Sequence, residues 1–382
     1  FHSLGKKSFH LEIQYSIDSI SLVGKFFGGL HCVYLFVLCN ILAIATFWDL
    51  MMQPSFRISR TSFFKFCTPN NNKDDPSWRT IVLTGLGAGG HGYFALDVTD
   101  VNSPKHLFTI ENDPFNNKVK HWDSDDRYTT YSYVSGNLPA EFNYRELGEA
   151  WSTPRIIRIK HDGKDKWVAV FGGGFNGAVN PNYGSAVFVM DLENEGKLLK
   201  NISIASTSNR PDTMVSSIPA DLTVIDAHGT DKANYSGAMV YAADLGGKIT
   251  KINMTDIDSS GNTTSSPTYS NTTLFSAESG TNNERYIYHE MEATINDDEK
   301  LWLYFGTGNT QKLGNRSNQI KNRVYGIKDK DFPNFNNISS PGTVRKCARA
   351  PRCPGGYYDL GWYVDLQKSR KVTAEPTVFK DR

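Results

Sequence analysis

One short unit recurs along this chain and limits what it can fold into: an apolar run, a glycine-rich turn, a second apolar run, then an acidic or polar stop. At residues 78–97 it reads Trp-Arg-Thr-Ile-Val-Leu-Thr, Gly-Leu-Gly-Ala-Gly-Gly-His-Gly, Tyr-Phe-Ala-Leu-Asp. Residues 166–191, 237–255 and 300–329 repeat it. The central copy lies within residues 217–255, where Asp244-Leu245-Gly246-Gly247 turns one strand into the next. Apolar runs of strand length around such turns predict β-hairpins, because glycine accepts the positive φ the turns need. Pro154, Pro219 and Pro376 each lead into a further strand, at a first position that needs no ladder donor. Units of about four strands that cannot bury their faces alone predict an all-β fold of the β-propeller type. The repeats span roughly sixty to ninety residues against about 40–50 for common propeller motifs, and the excess is polar insertion. A β-sandwich is the competing architecture.

Composition narrows the partners. Lys+Arg 41 against Asp+Glu 40 leaves a net charge of +1, and no basic stripe runs along the sequence, so nucleic acid is not an expected partner. The five cysteines are Cys32, Cys39, Cys67, Cys347 and Cys353. The Cys347/Cys353 spacing closes a small disulfide in an oxidising compartment, with two reduced surface thiols as the alternative. No histidine accompanies them, which argues against zinc.

Two segments are expected. Residues 1–76 show none of the repeat, and 32–48 are nearly all apolar; they are expected to be an anchor or an out-of-frame leader. Residues 77–382 carry the repeats, with an incomplete last blade: 361–366 and 372–379 read as the start of a blade that Arg382 cuts off. Within them, 112–133 read as an acidic, aromatic loop whose Asp123, Asp125 and Asp126 are solvated or hold a cation. Residues 256–273, rich in Ser, Thr and Asn, have too little apolar content to pack and are expected to be mobile.

No catalytic set emerges. Ser152 lacks a G-x-S-x-G elbow. The glycine runs at 85–92 and 172–177 are not followed by helical patterns, so they do not predict a phosphate cradle. His289, Glu290 and Glu292 read as the start of a strand.

Residues 87–99 (Gly-Ala-Gly-Gly-His-Gly-Tyr-Phe-Ala-Leu-Asp-Val-Thr) resemble the first blade of the PilY/PilC family of type IV pilus tip-associated biogenesis proteins and adhesins. Residues 148–154, 167–172, 241–247 and 361–366 resemble the same family in the same order. The likeness covers about 78–382, most of that family's C-terminal β-propeller, a quinoprotein-like fold; the family's large N-terminal half has no counterpart here. It implies a non-enzymatic pilus biogenesis factor and tip adhesin, exported to the bacterial cell surface and associated with the outer membrane. The implied partners are pilins and minor pilins and a host or abiotic surface, with calcium modulating assembly and retraction.

The family's calcium loop falls on residues 226–234. Calcium loops place oxygen donors at positions 1, 3, 5 and 9 and a backbone carbonyl at 7. The resemblance puts Asp226 at 1, His228 at 3, Thr230 at 5, the Lys232 carbonyl at 7 and Asn234 at 9. Imidazole is a poor ligand for a hard cation, and Asp226 is the one carboxylate at a matched position. Calcium binding here is therefore weak or lost, and a plain polar turn is the alternative. Two other functions remain open: a pyrroloquinoline-quinone dehydrogenase propeller, and a generic carbohydrate- or protein-binding propeller. The first needs a tryptophan docking motif in many blades; Trp167 and Trp302 share a strand position, and the other copies lack the residue.

Overall fold

The structure, a computed structural model, describes residues 60–66, 79–175, 183–204, 217–226, 237–277, 285–296, 300–314, 316, 320–339, 342–347, 353 and 360–378. Among these residues it is all strand and turn, with two single 3-10 turns at Ala140–Phe142 and Thr310–Lys312. No helix among them is long and apolar enough to cross a membrane.

The strands form four successive sheets. The first runs in chain order through β1 (Arg60–Phe66), β2 (Arg79–Gly85), β3 (Gly92–Asp97), β4 (Lys105–Asp113), β5 (Lys118–Trp122) and β6 (Tyr128–Ser132). The second holds β7 (Arg155–His161), β8 (Lys164–Gly172), β9 (Ala186–Asp191) and β10 (Leu198–Ser203). The third holds β11 (Thr223–Ile225), β12 (Met239–Ala243), β13 (Lys248–Asn253) and β14 (Asn271–Ser276). The fourth holds β15 (Glu292–Ile295), β16 (Leu301–Gly306), β17 (Arg323–Asp329), β18 (Val344–Lys346) and β19 (Gly361–Asp365), ordered β15-β16-β17-β19-β18. Each begins as an antiparallel meander of strands consecutive in the chain.

The sheets differ from the sequence reading in four places. β1 lies inside the segment set apart at 1–76, yet it pairs with β2 from Arg60↔Gly85 to Phe66↔Arg79 and gives the first sheet its leading strand. Residues 112–133 hold a hairpin, β5 against β6, that widens this sheet. Strand β19 pairs with β17 from Arg323↔Asp365 to Ile327↔Gly361, so it completes the fourth sheet rather than opening another. Residues 256–273 are folded: Thr264 N donates to Asp256 O at 2.7 Å, and Gly163 N of the β7–β8 turn donates to Ser265 O at 2.8 Å. A polar insertion needs no apolar core when its own carbonyls and hydroxyls meet a neighbour's turn.

Packing explains why the repeats read as continuous apolar runs. Side chains alternate across a strand, and the middle sheets are buried on both faces. From β8 and β9, Ala169, Phe171, Ala186, Phe188 and Met190 pack against the first sheet's Leu83, Tyr93, Phe108 and Ile110. The intervening Val168, Val170, Val187 and Val189 pack against the third sheet's Ala238, Val240, Ala242 and Ile252. From β12, Met239, Tyr241 and Ala243 turn the other way, toward Leu301, Leu303, Phe305 and Tyr325. A slip of one residue would exchange the two faces of a strand, so these contacts set the register.

The polar stop has a mechanism. Asp97, Asp191, Asn253 and Asp329 each end the third strand of a sheet, opposite Ile81, Val168, Met239 and Leu301. The Oδ1 of each accepts from the backbone N two residues on, at 2.9, 2.9, 3.0 and 3.1 Å. The side chain thereby turns the chain out of the sheet. Asp329 also joins two sheets. Its Oδ2 lies 2.6 Å from the Lys251 Nζ and accepts from the Tyr241 hydroxyl at 2.6 Å, both side chains being almost wholly buried. The Lys251 Nζ donates further to Asn334 O at 2.7 Å. Burial, reinforced by the Asp329 carboxylate, holds the Tyr241 hydroxyl well above its ordinary pKa.

Candidate functional site

Of the proposed calcium ligands, the structure places Asp226, directly after β11. His228, Thr230, Lys232 and Asn234 lie outside the described residues. The donor set of carboxylate, hydroxyl, amide and carbonyl oxygen suits a hard cation, while the imidazole does not. Among the described residues, no group of three or more His, Cys, Asp or Glu side chains is placed to hold a metal ion. The alternative acidic loop is committed elsewhere. Asp123 Oδ1 accepts from the backbone of Asp125 and Arg127, and its Oδ2 meets Arg127 Nε at 2.7 Å. Asp125 sits 3.3 Å from Arg127 Nη2, and Asp126 lies 2.8 Å from His106 Nδ1. Cys347 and Cys353 are bonded to each other, with Cα atoms 4.7 Å apart. Cys347 N donates to Tyr363 O at 2.8 Å, tying the small loop to β19.

The glycine runs hold seams between sheets. Gly87 bridges Ala150, Glu149 bridges Phe175 and Gly174 bridges Ile218. Gly174 has φ +87°, and a Cβ there would fall 1.8 Å from Glu149 O. At Gly172 a Cβ would meet Ile218, and at Gly306 it would meet Val372. The β2–β3 and β8–β9 turns receive, at Ala150 and Ile218, the segments that lead into the next sheet, while Glu149 and Val372 close on turns of the sheets they flank, and only glycine lets the chains come so close. Ser152 serves the same seam: its Oγ accepts from Gly172 N at 3.0 Å.

At these seams the leading segments gather aromatic rings. Trp151 stacks on Phe175 at 4.5 Å, Phe175 faces Tyr288 at 6.3 Å, and Tyr288 meets Tyr286 edge-on at 6.5 Å, with Leu245 beneath. Trp151 Nε1 donates to Glu149 Oε2 at 2.8 Å. Beside the rings the same segments converge charges. Arg155, which opens β7, pairs with Glu290 just ahead of β15, and Thr153 N donates to Asp221 Oδ1 at 2.7 Å. Burial pushes the Glu290 carboxyl up to about 7; Arg155 opposes the rise, and Asp221 and Glu375 add to it. Burial and Glu375 raise Glu292 as well. The assembly sets a largely buried aromatic cluster beside a partly buried charge pair. Sequence reading took 289–292 as the start of a strand and did not find the Arg155–Glu290 pair, because the partners are 135 positions apart.

The tryptophan comparison changes in three dimensions. Val168, opposite Asp191, corresponds to Leu301, opposite Asp329. Trp167 precedes that position and Trp302 follows it, so the two do not share a strand position and no docking motif repeats.

Successive sheets built on antiparallel meanders and packed face to face, with glycine seams between them, define a protein of the β-propeller class. A family model described as the PilY1 beta-propeller domain matches residues 66–345, and the chain belongs to that family. It is 25% identical over 309 residues to the type IV pilus biogenesis factor PilY1 homolog of Xylella fastidiosa, covering 76% of this chain and 18% of that protein. It is 28% identical over 180 residues to the type IV pilus biogenesis factor PilY1 of Pseudomonas aeruginosa, covering 47% of this chain and 12% of that one. The chain thus spans less than a fifth of these curated relatives. The crystal structure of the Pseudomonas aeruginosa PilY1 C-terminal domain superposes with a TM-score of 0.53 at 16% identity, over 85% of this chain and 64% of that one; this likeness concerns the fold.

Proposed function

We propose that this chain is the propeller module of a type IV pilus biogenesis factor, acting at the bacterial cell surface without catalysis. In this reading it contacts pilins or minor pilins at the pilus tip near the outer membrane, promotes assembly against retraction, and attaches the pilus to a host or abiotic surface. The family match over residues 66–345 carries the reading, and the names of the relatives support its pilus component. The test replaces the matching propeller of the Pseudomonas aeruginosa relative with this chain and counts surface pili and adherent cells. Restored piliation and adhesion are expected. An exported, folded chimera that leaves cells bald would overturn the assembly role, and piliated cells that fail to adhere would overturn the adhesin role.

Calcium modulation is proposed through the loop that begins at Asp226, with Thr230, Asn234 and the Lys232 carbonyl as further donors. One matched carboxylate places the affinity near the weak end, about 10⁻⁴–10⁻³ M. Calorimetric titration should show weak binding that Asp226→Ala removes and that His228→Asp with Thr230→Asp tightens. Heat that survives Asp226→Ala would place the cation elsewhere.

A further inference from the structure

Two basic segments that are far apart in the chain meet at one end of the fourth sheet. The β16–β17 connection carries Lys312, Arg316 and Lys321, and the stretch after β19 carries Lys368 and Arg370; all five are exposed. Ser369 Oγ donates to Arg316 O at 3.0 Å, Asn322 Nδ2 to Arg370 O at 2.9 Å, and Leu366 N to Asn322 O at 2.9 Å. These three bonds lace the two backbones together, so the cations are held as one patch rather than on separate loops.

The patch is uncompensated. Residues 301–328 and 366–374 contain no Asp or Glu. None of the five cations has an ion pair among the described residues, and the nearby Asp365 is committed to Arg323 at 2.9 Å and Lys346 at 2.8 Å. A chain with a net charge of +1 therefore concentrates positive potential here. The patch also holds an apolar tip: Leu313, following the 3-10 turn between Lys312 and Arg316, is 60% exposed.

We infer that this patch docks the propeller onto an anionic phospholipid bilayer, with the five cations on the headgroups and Leu313 seated in the acyl boundary. Clustered Lys and Arg beside a membrane gain attraction from each added charge, and an exposed leucine adds apolar burial. A polysaccharide offers anions but no hydrocarbon for Leu313, which favours the bilayer.

Co-sedimentation of the full chain with vesicles of phosphatidylcholine mixed with anionic phosphatidylglycerol tests it. Binding is expected at low salt and should weaken steeply as salt is added. Lys312→Glu, Lys321→Glu and Lys368→Glu together should lower the partition at least about 100-fold, and Leu313→Ser about tenfold. All four positions are exposed, so far-UV circular dichroism should stay unchanged and a lost signal reports the surface. Equal binding to pure phosphatidylcholine, or wild-type binding by the triple variant, would overturn the inference. So would tight binding to heparin or an acidic polypeptide without vesicle binding.

Discussion

Glu290 makes the stability of this protein depend on pH in an unusual direction. Its carboxyl rises from an ordinary 4.5 to about 7 in the folded chain, chiefly because burial outweighs the Arg155 guanidinium beside it. A group whose folded pKa is raised binds its proton more tightly when folded, so its contribution is fully present below about 4.5 and is lost as pH climbs through about 7. A rise of roughly 2.5 units corresponds to about 3 kcal/mol between those limits, and about 2 kcal/mol of it falls between pH 5.5 and pH 8. The side chain is only 22% exposed, so solvent screening removes little of this. Glu290→Gln fixes the neutral form and should flatten that component. The assay is urea unfolding of both proteins at a series of pH values. Burial lowers the pKa values of His91 and His121, which gives them the opposite dependence on pH, so the difference between variant and wild type is the quantity to follow. The variant should be the more stable of the two at pH 8, with the gap closing by about 2 kcal/mol at pH 5.5. A gap that does not move with pH, or one that widens on acidification, would refute the reasoning.

Three further outcomes follow from the packing. Asp329→Ala strands the Lys251 ammonium, 1% exposed, and should cost about 3–5 kcal/mol, whereas Lys251→Met with Asp329→Leu should regain most of it; chemical denaturation of the single and double variants decides. Gly174→Ala, with φ +87° and a Cβ 1.8 Å from Glu149 O, should destabilise by more than about 1 kcal/mol, while Gly314→Ala, which meets nothing within 4 Å, should stay within about 0.5 kcal/mol in the same melts. Cys347 and Cys353, six positions apart, should resist alkylation in the exported protein, and Cys347→Ser should cost about 2 kcal/mol for so short a loop.

The sequence by itself determined the strands and their class. Apolar runs such as 167–171 and 186–190, bounded by glycine and stopped by Asp191, mark strands buried on both faces, because nothing polar is left to meet water. The polar stops were legible for the same local reason: an Asx side chain caps its own backbone two residues on. The glycines announced turns but not seams, since the reason for Gly172 is Ile218, which a Cβ would meet and which the fold brings there from the segment ahead of the third sheet. β1 escaped notice because its partner β2 supplies the ladder and its own pattern did not mark it as a strand. Residues 256–273 escaped because their support comes from the β7–β8 turn of another sheet. The proposed site divides in the same way. A loop starting at Asp226 can be read from spacing along the chain, whereas Arg155 with Glu290, Lys251 with Asp329, and the cations at 312–321 and 368–370 meet only in three dimensions. Charge acts through space over distances of about 10 Å, so a chain with one net positive charge conceals its electric face until the fold brings the distant segments together.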